Sequence, residues 1–578
     1  MKNLFIYLKN YKKETILAPL FKMLEATFEL FVPLVMAAII DTGIAKKDET
    51  YIFSMSGVLI ALGLIGLVCS ITAQYFSAKA ACGFAARIKE VLFDKMQSMS
   101  YTQMDQTGAS TMINRMTTDV NQVQTGINMV LRLFLRSPFI VFGAMIMAFT
   151  IDVKAALIFV AVIPVLSIIV FGIMMLTIPL YKKVQKQLDY VLEKTRESLT
   201  GIRVIRAFGK EEEEIQEFDE RNNSLTKFQQ YVGKISALMN PVTYVVINGG
   251  ILALIYIGAL RVESGILTQG AVVALYNYMS QILVELIKLA NLIITMTKSV
   301  ASAQRIAGIF EIGENENTVL KSEKKKENPA DGYKVVFEKV SFSYENAGEY
   351  ALTDIDFKVK KGETIGIIGG TGSGKTSLVH LIPAFYQAEK GAVFVDGKNV
   401  LDYNEEKLRE KIGIVMQKSV LFQGTIRENI LWGNKSASDS EILEAIETAQ
   451  AGDILRKKEK GLDEWIEQGG RNLSGGQRQR LSIARALVRK PEILIFDDSA
   501  SALDYATDAA LRKALQKLDY HPTVFIVSQR TSSIMHADKI IVLDDGHIEG
   551  IGTHTELLEN CLVYKEIYDS QFKKEAAS

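Results

Sequence analysis

Three cysteines in 578 residues, Cys69, Cys82 and Cys561, are too few for a disulfide framework. Net charge is absent too: 66 Lys and Arg stand against 66 Asp and Glu, so the composition suggests no nucleic-acid partner. The chain has no low-complexity tract and no internal repeat beyond the alternation of apolar runs with charged stretches. Nothing at the amino terminus reads as a cleavable signal. The first apolar run is long, follows a basic amphipathic stretch and lacks a convincing processing site. What is left is a chain too long for one typical domain.

Its first half is built from apolar runs. Stretches long enough to cross roughly 30 Å of hydrocarbon occur near residues 16–40, 52–76, 131–151, 155–180, 238–260 and 270–296. The expected fold is therefore an all-α membrane domain of six spanning helices. Lys2, Lys9, Lys12 and Lys13 precede the first span, and the two long connections, between spans two and three and between spans four and five, are rich in charge. By the positive-inside tendency these face the cytoplasm, which gives a multi-pass protein of the cytoplasmic membrane. The other connections, around Asp41 to Tyr51, Asp152 to Lys154 and Arg261 to Gln269, are brief.

The second half carries a phosphate-binding pattern. A strand-like run, residues 364–368, leads into Gly369, Gly370, Thr371, Gly372, Ser373, Gly374, Lys375 and Thr376. Glycines let backbone amides curl around phosphates, Lys375 adds positive charge, and the Thr376 hydroxyl is a ligand type suited to Mg2+. Ser377, Leu378 and Val379 fit the start of a helix whose positive end faces a nucleotide. Farther on, residues 493–497 read as a buried strand ending in a carboxylate, where a parallel sheet places its ligand edge. Asp497 is the expected magnesium partner.

Between these motifs lies Leu473-Ser474-Gly475-Gly476-Gln477, followed by a basic helical stretch. This segment resembles the signature of ABC-transporter ATPases, and Ser501-Ala502-Leu503-Asp504 resembles their D-loop. The resemblance implies an α/β P-loop ATPase of ABC type that binds ATP with Mg2+. It places Tyr344 where the family stacks an aromatic on adenine, and Gln417 at the glutamine that senses magnesium and the membrane part. Thr107-Gly108, Asn114-Arg115 and Asp119-Val120, with residues 197–208 and Glu211, are similar to the inner loops of ABC exporters. Such loops are expected to extend the spanning helices far into the cytoplasm and to press short coupling helices onto the ATPases. The implied layout is a transmembrane domain over 1–313, a polar linker over 314–332 that includes Lys324, Lys325 and Lys326, and a nucleotide-binding domain over 333–578.

Two positions depart from the family pattern. After the magnesium aspartate the family usually has a glutamate that activates water; here Asp498 is one methylene shorter. A histidine usually contacts the terminal phosphate; here Gln529 cannot titrate or carry charge near neutral pH. Ser474, Gly476 and Gln477 are intact, and in the family they complete the site of the opposite ATPase. This mismatch leads to the expectation of a heterodimer. The chain would hold ATP at an impaired site and lend its signature to the catalytic site of a homologous but non-identical half-transporter. Two other readings stay open: an active homodimeric exporter, and an ATP-gated membrane regulator that moves no cargo.

Polar residues inside the spans give the only hints about cargo. Glu25 and Glu29 lie one turn apart on the first span, and Asn277, Gln281, Glu285, Lys288 and Asn291 form a loose stripe on the last. A cavity lined by Glu25, Glu29 and Glu285 would favour cationic amphipaths, drug- or lipid-like. Pairing of Glu25 with Lys22 and of Glu285 with Lys288, each three residues apart, would remove that acidity.

Overall fold

The computed structural model describes residues 4–312, 332–345, 347–499 and 502–572. Lys2, Ser501 and the linker expected at 314–332, except Gly332, lie outside them. The chain forms two compact units, residues 1–99 with 107–318, and residues 100–106 with 319–578.

Among the described residues, the first unit contains six helical stretches long and apolar enough to span a membrane. They are α1 (Ile6–Ile44), α2 (Glu49–Gln97), α3 (Ala109–Ile151), α4 (Val153–Thr200), α5 (Glu211–Glu263) and α6 (Gln269–Glu311). All six expected apolar runs fall inside them. At 1.5 Å per residue, the 49 residues of α2 extend about 74 Å, well beyond the hydrocarbon thickness. Close packing relies on small side chains: Ala26, Ala144, Ala148, Ala155 and Ala156 are fully buried around Phe159, Leu275 and Tyr278. The short connections are pinned by polar contacts. Asp152 caps α4 by accepting from Ala155 N at 2.8 Å, and Asp41 Oδ1 accepts from Gly270 N at 2.7 Å.

Charge inside this unit is paired. Arg136 Nη1 donates to Glu285 Oε1 at 2.7 Å and Nη2 to Glu29 Oε2 at 2.6 Å, which ties α3 to both α6 and α1. Ser137 Oγ and Lys288 Nζ each lie 2.8 Å from Glu285, and Lys22 pairs with Glu25. Both three-residue pairings are therefore present, and Arg136 is a partner that spacing along the spans did not reveal.

The second unit holds two main sheets. Strands β1 (Tyr333–Phe342), β2 (Leu352–Lys360), β4 (Lys390–Val395) and β5 (Lys398–Asn399) form an antiparallel sheet in the order β2-β1-β4-β5. The other sheet has the order β12-β11-β3-β10-β9-β6, from β3 (Thr364–Gly369), β6 (Ile412–Val415), β9 (Ile493–Asp497), β10 (Thr523–Val527), β11 (Lys539–Asp544) and β12 (His547–Gly552). Five of these strands run parallel, and β12 pairs antiparallel with β11. Strands β7 (Gly424–Thr425) and β8 (Trp465–Ile466) make a small separate pair. Every residue of β9 and β10 is buried, as expected for parallel strands covered on both faces.

Candidate functional site

Strand order decides where the polar residues meet. Val527 on β10 is in register with Ile367 on β3 and with Asp497 on β9, while Val415 on β6 pairs with Phe496. The carboxyl ends of β3, β10, β9 and β6 thus share one edge. The phosphate loop leaves β3, Gln529 follows β10, Asp497 and Asp498 end β9, and Gln417 follows β6. That edge is where ligands sit in open α/β sheets.

The loop after β3 has the backbone that phosphate cradling needs. Gly374 has φ +90°, and a Cβ there would come within 2.5 Å of Ala351 O, so both conformation and space demand glycine. Beyond it, α7 (Lys375–His380) begins. Lys375 is 8% exposed, and its Nζ is 3.0 Å from Gly369 O, with a further contact to Gly370 O. Burial pushes its pKa below the usual lysine range, against the raising effect of Asp498 and Asp497. Among the described residues nothing stands within 4 Å of a Cβ built at Gly370 or Gly372, which leaves that side of the loop open for a ligand. Tyr344 Oη lies 2.9 Å from Ser377 Oγ on α7 and meets Tyr386 edge-on at 5.3 Å.

The oxygens present suit a hard divalent cation. Thr376 Oγ1 donates to Asp497 Oδ1 at 2.8 Å. Among the described residues no group of three or more His, Cys, Asp or Glu could hold a metal, so a cation at Thr376 and Asp497 would need phosphate oxygens or water as well. That donor set fits magnesium brought with a nucleotide.

Asp498 has φ +46°, a left-handed backbone that Asp tolerates better than most residues. It is 8% exposed, its N–H donates to Val527 O at 3.1 Å, and Oδ2 accepts from Gln417 Nε2 at 3.4 Å. Burial first, then the neighbouring Asp497 charge, raises its pKa, with Lys375, Gln417 and Arg530 opposing. Gln529 is exposed beside it, one strand over.

The signature residues start α8 (Gly475–Leu487). Ser474 Oγ accepts from Gln477 N at 3.3 Å while Gln477 Oε1 accepts from Ser474 N at 2.9 Å, a capping box that leaves the turn on the surface. A Cβ at Gly476 would stand 3.1 Å from Ala502 O. Asp504 caps α9 (Tyr505–Leu515), accepting from Thr507 N at 2.8 Å, which lowers its pKa.

Three contributors went unnoticed in the sequence. Arg530 holds Leu503 O at 3.2 Å and lies 5.0 Å over the Tyr505 ring. Gln571 donates to Gln529 O at 2.8 Å and accepts from Thr531 N at 2.9 Å, bracing the backbone around Gln529. His380 approaches Asp497 from α7. Only His380 left a readable signal, its four-residue spacing from Thr376. Glu25, Glu29, Asn277, Gln281 and Glu285 belong to the first unit, where Glu29 and Glu285 share Arg136.

Comparison with known proteins covers both units. Residues 15–286 match the family described as ABC transporter transmembrane region, and residues 352–501 match the one described as ABC transporter. The chain is similar to the "Uncharacterized ABC transporter ATP-binding protein YfiB" of Bacillus subtilis, 37% identical over 577 residues and covering 100% of both chains. It is 30% identical to the "ATP-dependent lipid A-core flippase" of Chromobacterium violaceum, over 100% of this chain and 98% of that protein. The solved structure of a bacterial Atm1-family ABC exporter with ATP bound shares its fold, with TM-score 0.77, 21% identity and coverage of 97% of this chain and 98% of that one.

Proposed function

The chain belongs to the ABC transporter family, and from that premise we propose that it is one subunit of an ATP-driven exporter for amphipathic, drug- or lipid-like molecules. It is a multi-pass membrane protein with a cytoplasmic ATPase domain. ATP is held on the phosphate-loop amides and Lys375, with its adenine against Tyr344. Thr376 and Asp497 would hold magnesium, which supplies charge neutralisation on the phosphates when bound.

The observation that carries the reading is the contrast along one sheet edge. A complete phosphate loop and Asp497 stand beside Asp498 and Gln529, in the places of a longer acid and a histidine that contacts the terminal phosphate. Asp498 sets its carboxylate back by about 1.5 Å, roughly one C–C bond. A misplacement of about 1 Å costs on the order of a hundredfold in rate, so this site binds ATP and hydrolyses it slowly. The exposed turn at Ser474, Gly476 and Gln477 then serves a homologous, non-identical subunit whose own acid and histidine are intact. Binding of ATP draws the two ATPases together and favours one orientation of the cargo path, and hydrolysis at the partner's site resets it.

The similarity to a protein named as a lipid A-core flippase supports such a cargo. The test is ATP turnover by the purified chain in lipid, alone and after co-expression with its candidate partner. Negligible turnover alone with robust turnover together supports the asymmetric pair. Ordinary turnover by the chain alone sinks it.

A further inference from the structure

The helix after the phosphate loop carries a second polar residue directed at Asp497. His380 lies four residues after Thr376 on α7, so the helical repeat puts both on one face. That face meets the end of β9. The Thr376 hydroxyl takes Asp497 Oδ1 at 2.8 Å, and His380 Nε2 stands 3.4 Å from Oδ2.

The ring is fixed from its sides by Phe385, edge-on at 5.5 Å, and by Tyr386, nearly parallel at 6.3 Å. Asp497 is 1% exposed and the His380 side chain 10%, so solvent competes little for either group. Nε2 stops short of a formed hydrogen bond and, among the described residues, finds no other partner. A carboxylate facing one ring nitrogen favours the tautomer with its proton there.

The geometry points to His380 as a positioning residue for Asp497: its Nε2, 3.4 Å from Oδ2, is placed to donate to that oxygen when Thr376 and Asp497 turn their oxygens to a divalent cation, and so holds them in one orientation. This rests on the reading of Asp497 as the magnesium partner. Groups that orient a metal ligand from behind change metal affinity by about 10–100-fold when removed. The opposing account is that His380 only fills space among aromatic rings. Two replacements separate them. His380→Phe keeps a ring and loses the donor; His380→Gln loses the ring and keeps a donor.

The full-length chain in lipid is titrated with a fluorescent ATP analogue, first in EDTA and then over a range of Mg2+ concentrations. For His380→Phe the expected result is a Mg2+ requirement raised by roughly 10–100-fold with unchanged affinity in EDTA, and His380→Gln recovers part of the loss. An unchanged Mg2+ requirement in His380→Phe overturns the assignment. Equal loss of EDTA affinity in both variants also overturns it and makes His380 a packing residue. If the wild-type chain binds the analogue with no Mg2+ dependence, the reading of Asp497 falls and takes the proposal with it.

Discussion

Restoring the longer acid and the histidine should switch on turnover in the chain by itself. Asp498→Glu carries the carboxylate about 1.5 Å farther along the ligand edge. If that misplacement holds the rate down by on the order of a hundredfold, its removal is worth about 2.7 kcal/mol of barrier. The cost falls on the backbone. Residue 498 has φ +46°, where glutamate loses the local tolerance of aspartate, at about 1 kcal/mol. Gln417, exposed and 3.4 Å from Asp498 Oδ2, can yield to the added methylene. A net stability of about 5–15 kcal/mol absorbs such a loss. Gln529→His should fit equally well, because Gln571 holds the backbone carbonyl of residue 529 and leaves its side chain exposed. The assay is phosphate release by the full-length double variant in lipid, with nucleotide affinity measured alongside. The expected result is a gain of on the order of a hundredfold at unchanged affinity, since Lys375, Thr376 and Asp497 are untouched. Wild-type turnover in a double variant that still binds ATP would refute the argument that these two residues limit the site.

Asp498→Asn should stabilise the ATPase unit near neutral pH, by up to about 1 kcal/mol, because it removes a buried charge beside Asp497. The sign follows from a folded pKa above the unfolded value: ionised Asp498 costs stability once pH rises past its unfolded pKa, and the benefit of the amide vanishes at lower pH. Melting temperatures of both proteins across pH check this. Lys334, 3% exposed, joins Asp396 Oδ1 at 2.6 Å and also pairs with Glu492. Lys334→Ala leaves Asp396 and Glu492, both part-exposed, with Lys411 as their cation and should cost about 1–2 kcal/mol, read from thermal unfolding. Salt bridges hold the pKa of both Asp396 and Glu492 below the usual range despite burial, so their contribution is full above the unfolded pKa and lost as pH falls below about 4. In the membrane unit, Arg136→Met leaves the buried Glu285 with Lys288 and Ser137 alone and should destabilise by about 2–3 kcal/mol, whereas Arg136→Met with Glu285→Leu recovers most of it in a detergent melting assay.

How far the chain could be read differed between its halves. The spans were legible because an apolar run must satisfy its own backbone in lipid, and helices do so locally. Their extension past the membrane was legible only through the resemblance of the inner loops, since α2 and α4 continue through charged sequence that no hydropathy rule separates from a loop. The phosphate loop was legible because glycine spacing and the lysine are dictated by backbone conformation within eight residues. Gln571 was invisible, lying more than forty residues from the backbone it braces.

By itself, the sequence determined what depends on neighbours along the chain: six apolar helices, a loop shaped for phosphate, a capped turn at Ser474, and the shortened acid at 498. Tertiary structure decided what depends on which strands become adjacent. The order β3-β10-β9-β6 brings the phosphate loop, Gln529, Asp498 and Gln417 to one edge, and the meeting of α7 with β9 sets His380 beside Asp497. In the membrane unit, the packing of α1, α3 and α6 joins Glu29, Arg136 and Glu285 across more than a hundred residues of chain. Contacts of that separation arise from burying apolar faces against one another, a global requirement that local spacing does not encode.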